Sequence, residues 1–354
     1  MVRPAVTNMT PSFVHDAVPQ RVVFAKGAVA RVADEAERLG LKHALVIATP
    51  GSGARLGSRI VELLGERAVG LHAHAVIHVP KAVAEGGLAA AREANADGLV
   101  CVGGGAAIGL AKAIALAIGL PILAVPTTYS GSETTSIWGT TEGDRKTTGR
   151  DPRVVPRTII YDPDLTLGLP AAVTAASGMN AIAHCVGAPW APERTPVSVA
   201  LAGEALRRFA VHLPRAVADG NDRAARAECL IAAWLAGSVL TAGSWLQHKL
   251  AHVLGGFGLP HAEAHAIILP HVTRFNLAAG GPERDWLART LGGDDPAATL
   301  HALLRGFPIP HRLRDVGFDQ AKIPDAAGQI AALAITHPRR VTSEDAAALL
   351  QAAY

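Results

Sequence analysis

The sequence predicts an α/β domain with a parallel sheet, followed by an all-helical domain. Strand-like apolar runs alternate with helix-like segments from residue 21 to residue 126, which is typical of a parallel sheet covered on both faces. The segment Gly103-Gly104-Gly105 directly follows a buried strand and opens a helix. After Thr166 the β-branched, strand-like runs stop, and the remaining chain is rich in Ala and Leu. These observations divide the chain into residues 1–165 and 166–354, with the active site expected in the cleft between the two domains.

Hydrophobic periodicity and turn residues predict the elements in order. In the first domain, strands are predicted at 21–24, 43–48, 73–79, 98–102 and 121–126. Helices are predicted at 28–39, 82–95 and 103–118, and a further helix is predicted to follow the turn at 49–53. In the second domain, helices are predicted at about 171–188, 197–211, 222–239, 244–254, 262–276, 285–292, 298–305 and 344–353. Ligands of parallel sheets bind beyond the carboxyl ends of the strands, so the turns after Ala48, Val102 and Val125 form the expected binding edge.

Composition excludes several classes of protein. The 354 residues are 49% hydrophobic and 18% charged, which argues against disorder. The net charge is only +3 and no Lys/Arg run forms a basic stripe, so neither nucleic acid nor a membrane surface is an expected partner. The apolar stretch 106–125 is interrupted by glycines, a lysine and a proline and does not predict a membrane span. Three distant cysteines indicate neither a disulfide framework nor a metal motif, so a cytoplasmic location is expected.

Two glycine-rich turns compete as the phosphate-binding turn of a Rossmann-like domain. Gly51-Ser52-Gly53 with Gly57, and Gly103-Gly104-Gly105 with Gly109, share the spacing GxGxxxG, and neither matches the dinucleotide pattern GxGxxG. The second turn follows a buried strand directly, so its backbone N–H groups can approach a pyrophosphate at a helix N-terminus. The alternative for both turns is that glycine serves helix–strand packing alone.

A hydroxyl-rich loop follows the next strand on the same edge. The loop Pro126–Glu133 carries Thr127, Thr128 and Ser132, which are suited to phosphate and ribose contacts, although a merely solvated loop is the alternative reading. Lys146 is a lone cation that is a further candidate for the cofactor site. The turn at 49–52 lacks the acidic residue that would select between the two dinucleotides, so either NADH or NADPH is expected.

A histidine-rich stretch carries the predicted catalytic chemistry. Five of the fifteen histidines fall within residues 248–271, and His248 and His252 are four apart on a predicted helix and therefore share a face. Gly255, Gly256 and Gly258 are predicted to break this helix and to return a loop-borne His261 towards the pair. Asn180 and His184 form a second pair four residues apart. The alternative is a set of separate core or surface histidines.

These motifs resemble the iron-containing (group III) alcohol dehydrogenase superfamily, and within it the maleylacetate reductases. The resemblance covers nearly the whole chain and rests on the segments Gly103–Lys112, Pro126–Glu133, Lys146–Arg150, Asp162–Thr166 and His248–His271. It implies the fold shared by iron-containing alcohol dehydrogenases and dehydroquinate synthases, and a homodimer. Two departures are Ala106 where the family usually has Ser, and an interval from His252 to His261 that looks one residue short, which could displace His261.

The resemblance also bears on whether the site binds a divalent metal. The superfamily's metal ligands match Asn180, His184, His248 and His261 here, and the first is Asn where the family has Asp. A neutral amide is a weak ligand, and three imidazoles leave the +2 charge uncompensated, so no bound metal is expected. The alternative is Fe²⁺ or Zn²⁺ held by His184, His248 and His261.

The activity implied by the resemblance is the NAD(P)H-dependent reduction of the carbon–carbon double bond of maleylacetate, a small dicarboxylate, to 3-oxoadipate in aromatic compound degradation. His252 is the expected proton donor; His248, His184, Asn180 and His261 complete the catalytic set; and Lys249, Arg150 and Arg274 are candidate partners of the substrate carboxylates. Three alternatives stay open: a metal-dependent dehydrogenase of a small alcohol or aldehyde, a dehydroquinate-synthase-like lyase, and a nucleotide-binding protein that has lost activity.

Overall fold

The sheet is built from six parallel strands. The computed structural model describes residues 13–15, 17–143, 145–243, 245–335 and 338–354, and only the backbone of Arg145, Lys146 and Thr241. The sheet strands are β1 (Arg21–Phe24), β2 (Ala44–Ile47), β3 (Ala68–His72), β4 (Gly98–Gly103), β5 (Ile122–Pro126) and β8 (Thr158–Tyr161). Their spatial order is β1-β8-β5-β4-β2-β3, and every pairing is parallel. The carboxyl ends of β2, β4 and β5 therefore meet at one edge, as predicted from the turns.

Both faces of this sheet are covered by helices. The first part of the chain contains the helices α1 (Val32–Arg38), α2 (Ser52–Leu64), α3 (Lys81–Glu93) and α4 (Gly105–Ile118). Val46 and Val100 pack with α1 and α2 on one face, while Leu45 and Leu99 pack with α3 and α4 on the other. Successive residues of a strand thus enter opposite cores, which is why these strands are apolar at every position.

A separate antiparallel hairpin was missed by sequence reasoning. The strands β6 (Ile137–Glu142) and β7 (Arg145–Arg150) pair with each other and not with the parallel sheet. Thr141 ties the hairpin to residues 78–80, because its hydroxyl donates to the His78 carbonyl at 2.9 Å and its N–H to the Val79 carbonyl at 3.1 Å. The hairpin thereby forms an additional wall above the binding edge.

The strand predicted at 73–79 is wrong, since the strand is Ala68–His72 and the following residues form a loop. β3 pairs only with β2, which spans four residues, so no partner backbone extends the pairing beyond His72. The alternating apolar residues after position 72 instead bury Ala75 and Val79 against α4. Strand β8 was likewise not predicted.

The second part of the described chain is helical. Its helices are α5 (Ala171–Val186), α6 (Pro196–Ala218), α7 (Arg223–Val239), α8 (Leu246–Gly256), α9 (His261–Leu277), α10 (Glu283–Leu291), α11 (Pro296–Arg305), α12 (Ile323–Ala332) and α13 (Ser343–Ala353). Every residue of α5 from Thr174 to Val186 is buried. Helix α12 was not predicted, and α6 runs further than expected. None of the described helices is long and apolar enough to cross a membrane.

Two expectations about the histidine-rich stretch are wrong. Gly255 and Gly256 do not break the helix, because α8 includes both and ends before Gly258, whose φ of +83° favours glycine. His261 is not on a loop, since it is the first residue of α9 and follows Pro260. A single helix-to-helix turn therefore carries the chain from α8 to α9, which pack against each other.

Candidate active site

A cavity of about 690 Å³ lies between the binding edge of the sheet and the helical part. The sheet side contributes the start of α4 and the loop after β5, the hairpin contributes Trp138 and Thr148–Arg150, and the helical side contributes α5, α8 and the start of α9. The volume is typical of a pocket for a small-molecule ligand.

The start of α4 fits the phosphates of a dinucleotide. Its first turn has no side-chain cap, so its N–H groups remain available to an anion. Gly105 lines the cavity, and a Cβ there would meet only the Ser130 hydroxyl, at 3.8 Å. A Cβ on Gly104 would instead lie 2.8 Å from the Thr128 side chain, so Gly104 serves packing.

The predicted cofactor residues thus divide into groups. Gly105 and Ser132 line the cavity. Gly103, Gly104, Thr127 and Thr128 lie behind it, and Gly103 contributes its carbonyl, which accepts a hydrogen bond from the Thr127 N–H at 3.0 Å. Lys146 lies outside the residues whose side chains are described.

Sequence reasoning missed Lys112, a buried cation in the cavity wall. Its ammonium group donates to the carbonyls of Ser132, Thr135 and Ile137 at 2.6–2.8 Å, and so joins α4 to the hydroxyl-rich loop and the hairpin. Burial lowers the pKa of Lys112 to about 7. We assign the charged form to Lys112, because three carbonyl acceptors match the three donors of an ammonium group. A single lysine in the apolar helix 105–118 was the signal that could have found it.

Backbone strain also marks the cavity. His78 and Val79 are non-glycine residues with φ of +64° and +45°, and both line it. Such conformations persist where the surrounding structure fixes them, and here Thr141 holds both carbonyls. Trp138 packs directly over Gly149, where a Cβ would lie 2.8 Å from the indole ring. Neither feature has a signature in the sequence.

Five imidazoles form a continuous cluster, which we call the histidine cluster: His184, His248, His252, His261 and His265. Ring centroids are 4.9 Å apart for His184–His248 and 5.6 Å for His252–His261. His265 joins these pairs, with its centroid 4.5 Å from that of His248 and 4.6 Å from that of His261. The shorter interval between His252 and His261 has therefore not removed His261 from the cluster.

Exposure falls steeply across the cluster. His252 is exposed at the cavity, whereas His248 is 6%, His184 3% and His265 0% exposed. Burial lowers the pKa of His184 to about 3, and burial together with neighbouring imidazoles lowers the pKa values of His248 and His265 well below the ordinary range. These three rings are therefore neutral at pH 7 and can donate hydrogen bonds without carrying charge.

Several buried polar atoms of the cluster have no hydrogen-bond partner. They are the Asn180 Oδ1, the His184 Nδ1, both ring nitrogens of His248 and the His265 Nε2. Unsatisfied buried polar groups are costly, so their concentration beside the cavity points to a bound polar ligand or water.

Of the three candidate cations for the substrate, only Arg150 reaches the cavity. Its guanidinium donates to the Leu240 carbonyl at 3.3 Å and lies 3.9 Å from Glu193. Lys249 is half-buried outside the cavity lining, and Arg274 is exposed and lies 4.0 Å from Asp295. Lys249 and Arg274 lie on the helices α8 and α9, and the sequence does not show which face of a helix points towards the site.

The residues at the superfamily's metal positions do not fit a divalent cation well. Among the described residues, no group of three or more His, Cys, Asp or Glu side chains is arranged to hold a metal ion. Asn180 supplies a neutral amide, and the neutral imidazoles bring no negative charge to offset the cation. The ring of His265 also contacts two of the three candidate histidine ligands.

The comparisons with known families agree with this architecture. A model described as "Iron-containing alcohol dehydrogenase" matches residues 19–163, and one described as "Fe-containing alcohol dehydrogenase family, C-terminal" matches residues 174–354. The chain therefore belongs to the iron-containing alcohol dehydrogenase family and is an oxidoreductase.

Individual relatives narrow the similarity. Maleylacetate reductase 2 of Cupriavidus pinatubonensis is 48% identical over 99% of this chain and 98% of that protein. The maleylacetate reductase of Sphingobium indicum is 45% identical over 96% and 97%. The crystal structure of maleylacetate reductase from Rhizobium sp. strain MTP-10005 superposes with a TM-score of 0.92 at 39% identity, covering 98% of this chain and 99% of that one. Both the resemblance and the fold class deduced from the sequence are confirmed.

Proposed function

We propose that this enzyme reduces the carbon–carbon double bond of maleylacetate to give 3-oxoadipate, with NADH or NADPH as the reductant. The observation that carries the proposal is a cavity in which neutral imidazoles and Arg150 face an uncapped helix start. The relatives named maleylacetate reductase support the choice of substrate. In the proposed arrangement, residues 1–165 bind the cofactor and residues 166–354 supply the catalytic side chains.

A bound reduced nicotinamide supplies a hydride. Phosphate groups would lie on the backbone of Gly105 at the start of α4, beside Ser132. The cation of Lys112 behind this loop adds a favourable positive potential. Since the turn at 49–52 carries no acidic side chain, the site accommodates either dinucleotide.

The chain's own residues would act on the charge that develops on the substrate. Reduction at the alkene carbon β to the ketone leaves negative charge on the ketone oxygen, which forms an enolate. A neutral imidazole of His248 or His184, or the Asn180 amide, would donate a hydrogen bond to that oxygen from the buried side of the cavity. No step requires a Lewis acid, because these donors already face the cavity.

His252 would complete the reaction by adding a proton to the carbon adjacent to the ketone. It is the exposed member of the histidine cluster, so its ring can exchange protons with solvent between turnovers. His261 contacts His252 and would keep its ring oriented. Arg150 would bind one substrate carboxylate.

The test follows NADH and NADPH oxidation by absorbance, with maleylacetate as substrate and chelator-treated protein as enzyme. We expect turnover to survive chelation, and His252→Ala to lose roughly 100-fold or more in kcat with an unchanged circular dichroism spectrum. The matched control is His271→Ala, which removes a histidine outside the cavity. Activity only on alcohols or aldehydes with added Fe²⁺ or Zn²⁺ would replace the proposal by a metal-dependent dehydrogenase. The cytoplasmic location and the homodimer stay predictions.

A further inference from the structure

His265 differs from the other members of the histidine cluster. The other four line the cavity, whereas His265 lies behind them and is completely buried on α9. Its ring meets the His248 ring at an interplanar angle of 60° and the His261 ring at 81°, so both contacts are edge to face. The His265 ring therefore packs against His248 and His261, two of the three histidines that match the superfamily's metal ligands.

The position of the His265 ring is fixed from the other side by α8. The Gln247 side-chain amide donates to the His265 carbonyl at 2.9 Å and lies 3.4 Å from the His265 Nδ1. Gln247 is itself buried, with an exposure of 1%. Because the amide group is a donor, it favours the tautomer with the proton on Nε2, the atom that has no hydrogen-bond partner.

The position of His265 bears on metal binding at the same place. A divalent metal held by His248 and His261 must lie about 2.0–2.1 Å from one nitrogen of each ring and needs room for further ligands around it. The His265 ring packs against both of these rings, with centroid distances of 4.5 and 4.6 Å, and takes up part of the room around them. With a proton on Nε2 and with Nδ1 beside the Gln247 amide, the His265 ring also has no free lone pair for a cation.

We infer that His265 excludes a divalent metal from the positions of His184, His248 and His261, and so acts as a specificity-determining residue for a metal-free site. The neutral Asn180 removes a ligand, and His265 removes the space that the remaining ligands would need. Because the two obstacles lie at different residues, substitutions at Asn180 and at His265 can test each of them independently. The inference concerns metal affinity alone and does not depend on the identity of the substrate.

The opposite role for His265 makes the opposite prediction. If His265 were itself a ligand, its removal would weaken metal binding. If it occupies the space of the metal, its removal strengthens binding. The sign of the change therefore decides between the two roles.

The experiment is a Co²⁺ titration of the full-length protein without substrate, followed by visible d–d absorption and by metal content after gel filtration. The variants are His265→Ala, the smaller polar His265→Asn, Asn180→Asp and the double variant Asn180→Asp/His265→Ala. His271→Ala is the matched control, because it removes a half-buried histidine from the same helix outside the cluster. Circular dichroism and quenching of tryptophan fluorescence by NADH verify the fold of each variant.

We expect His265→Ala and His265→Asn to bind Co²⁺ about 10- to 100-fold more tightly than the unaltered protein, with the double variant tightest and His271→Ala unchanged. Equal or weaker binding by folded His265 variants would overturn the inference. So would binding by Asn180→Asp alone as tight as that of the double variant, because His265 would then present no obstacle. Since the assay contains no maleylacetate, its outcome is distinct from success or failure of the proposed reaction.

Discussion

Acidification should destabilise this protein through its buried histidines, and His184 allows the magnitude to be worked out. Burial lowers the pKa of His184 to about 3, whereas an unfolded chain titrates near 6.5. The unfolded state therefore binds an extra proton between these values, and the free energy of unfolding falls as the pH falls below 6.5. A pH of 5 lies 1.5 units below the pKa of histidine in the unfolded chain. Protonation of the unfolded state should therefore lower the free energy of unfolding by about 2 kcal/mol between pH 7 and pH 5.

The assay is urea unfolding at pH 7, 6 and 5, followed by tryptophan fluorescence. His184→Gln removes the group that takes up a proton on unfolding. The free energy of unfolding of this variant should therefore fall by about 2 kcal/mol less between pH 7 and pH 5 than that of the unaltered protein. His43→Gln provides the matched control, because His43 is exposed on the folded surface. His248 and His265 are expected to retain their own contributions in the same direction. An identical pH dependence in His184→Gln and the unaltered protein would refute the reasoning.

Two further predictions separate binding from packing. Arg150→Ala should raise the KM for maleylacetate roughly 10- to 100-fold with a smaller effect on kcat, since a charged hydrogen bond to a carboxylate contributes about 1.5–3 kcal/mol. The exposed Arg274→Ala should leave both constants unchanged, and equal effects of the two substitutions would contradict the assignment. Gly187→Ala should destabilise the fold by about 1–3 kcal/mol in urea unfolding, because the new Cβ would lie 1.5 Å from the Trp245 indole nitrogen. Gly256→Ala, with nothing within 4 Å of the added atom, should cost nothing, and a similar loss in both glycine variants would disprove the packing argument.

Local sequence patterns predicted the strands and helices in which apolar residues form a continuous run or recur with a helical period. β4 and α4 follow directly from an apolar run, three glycines and a helical period, and they lie where the pattern placed them. The strand at 68–72 was missed because its Gly70 weakens the signal, while the apolar alternation at 73–79 reflects burial against α4. Strand pairing, which is not local, decided between the two segments.

The sequence predicted which residues form the candidate site, but it did not predict which way the side chains of a helix point. Asn180, His184, His248, His252 and His261 were all expected at one place, and the structure brings them to one cavity. Which side chains of a helix face inward depends on how that helix packs, and the sequence does not specify this. For that reason Lys249 and Arg274 were included in the candidate set, whereas Lys112 was left out. His78 was left out because its segment, 73–79, was predicted as a strand and is a loop.

The burial of α5 from Thr174 to Val186 has a consequence for how such an enzyme can change its substrate over evolutionary time. Apart from the side chains that line the cavity, these buried residues accept few substitutions, because a larger or smaller side chain disturbs several neighbours at once. The hairpin residues and the exposed end of α8 border open space and accept variation at little cost to stability. New substrate ranges should therefore arise first from substitutions in the hairpin, while α5 remains the inherited and slowly changing part of the site.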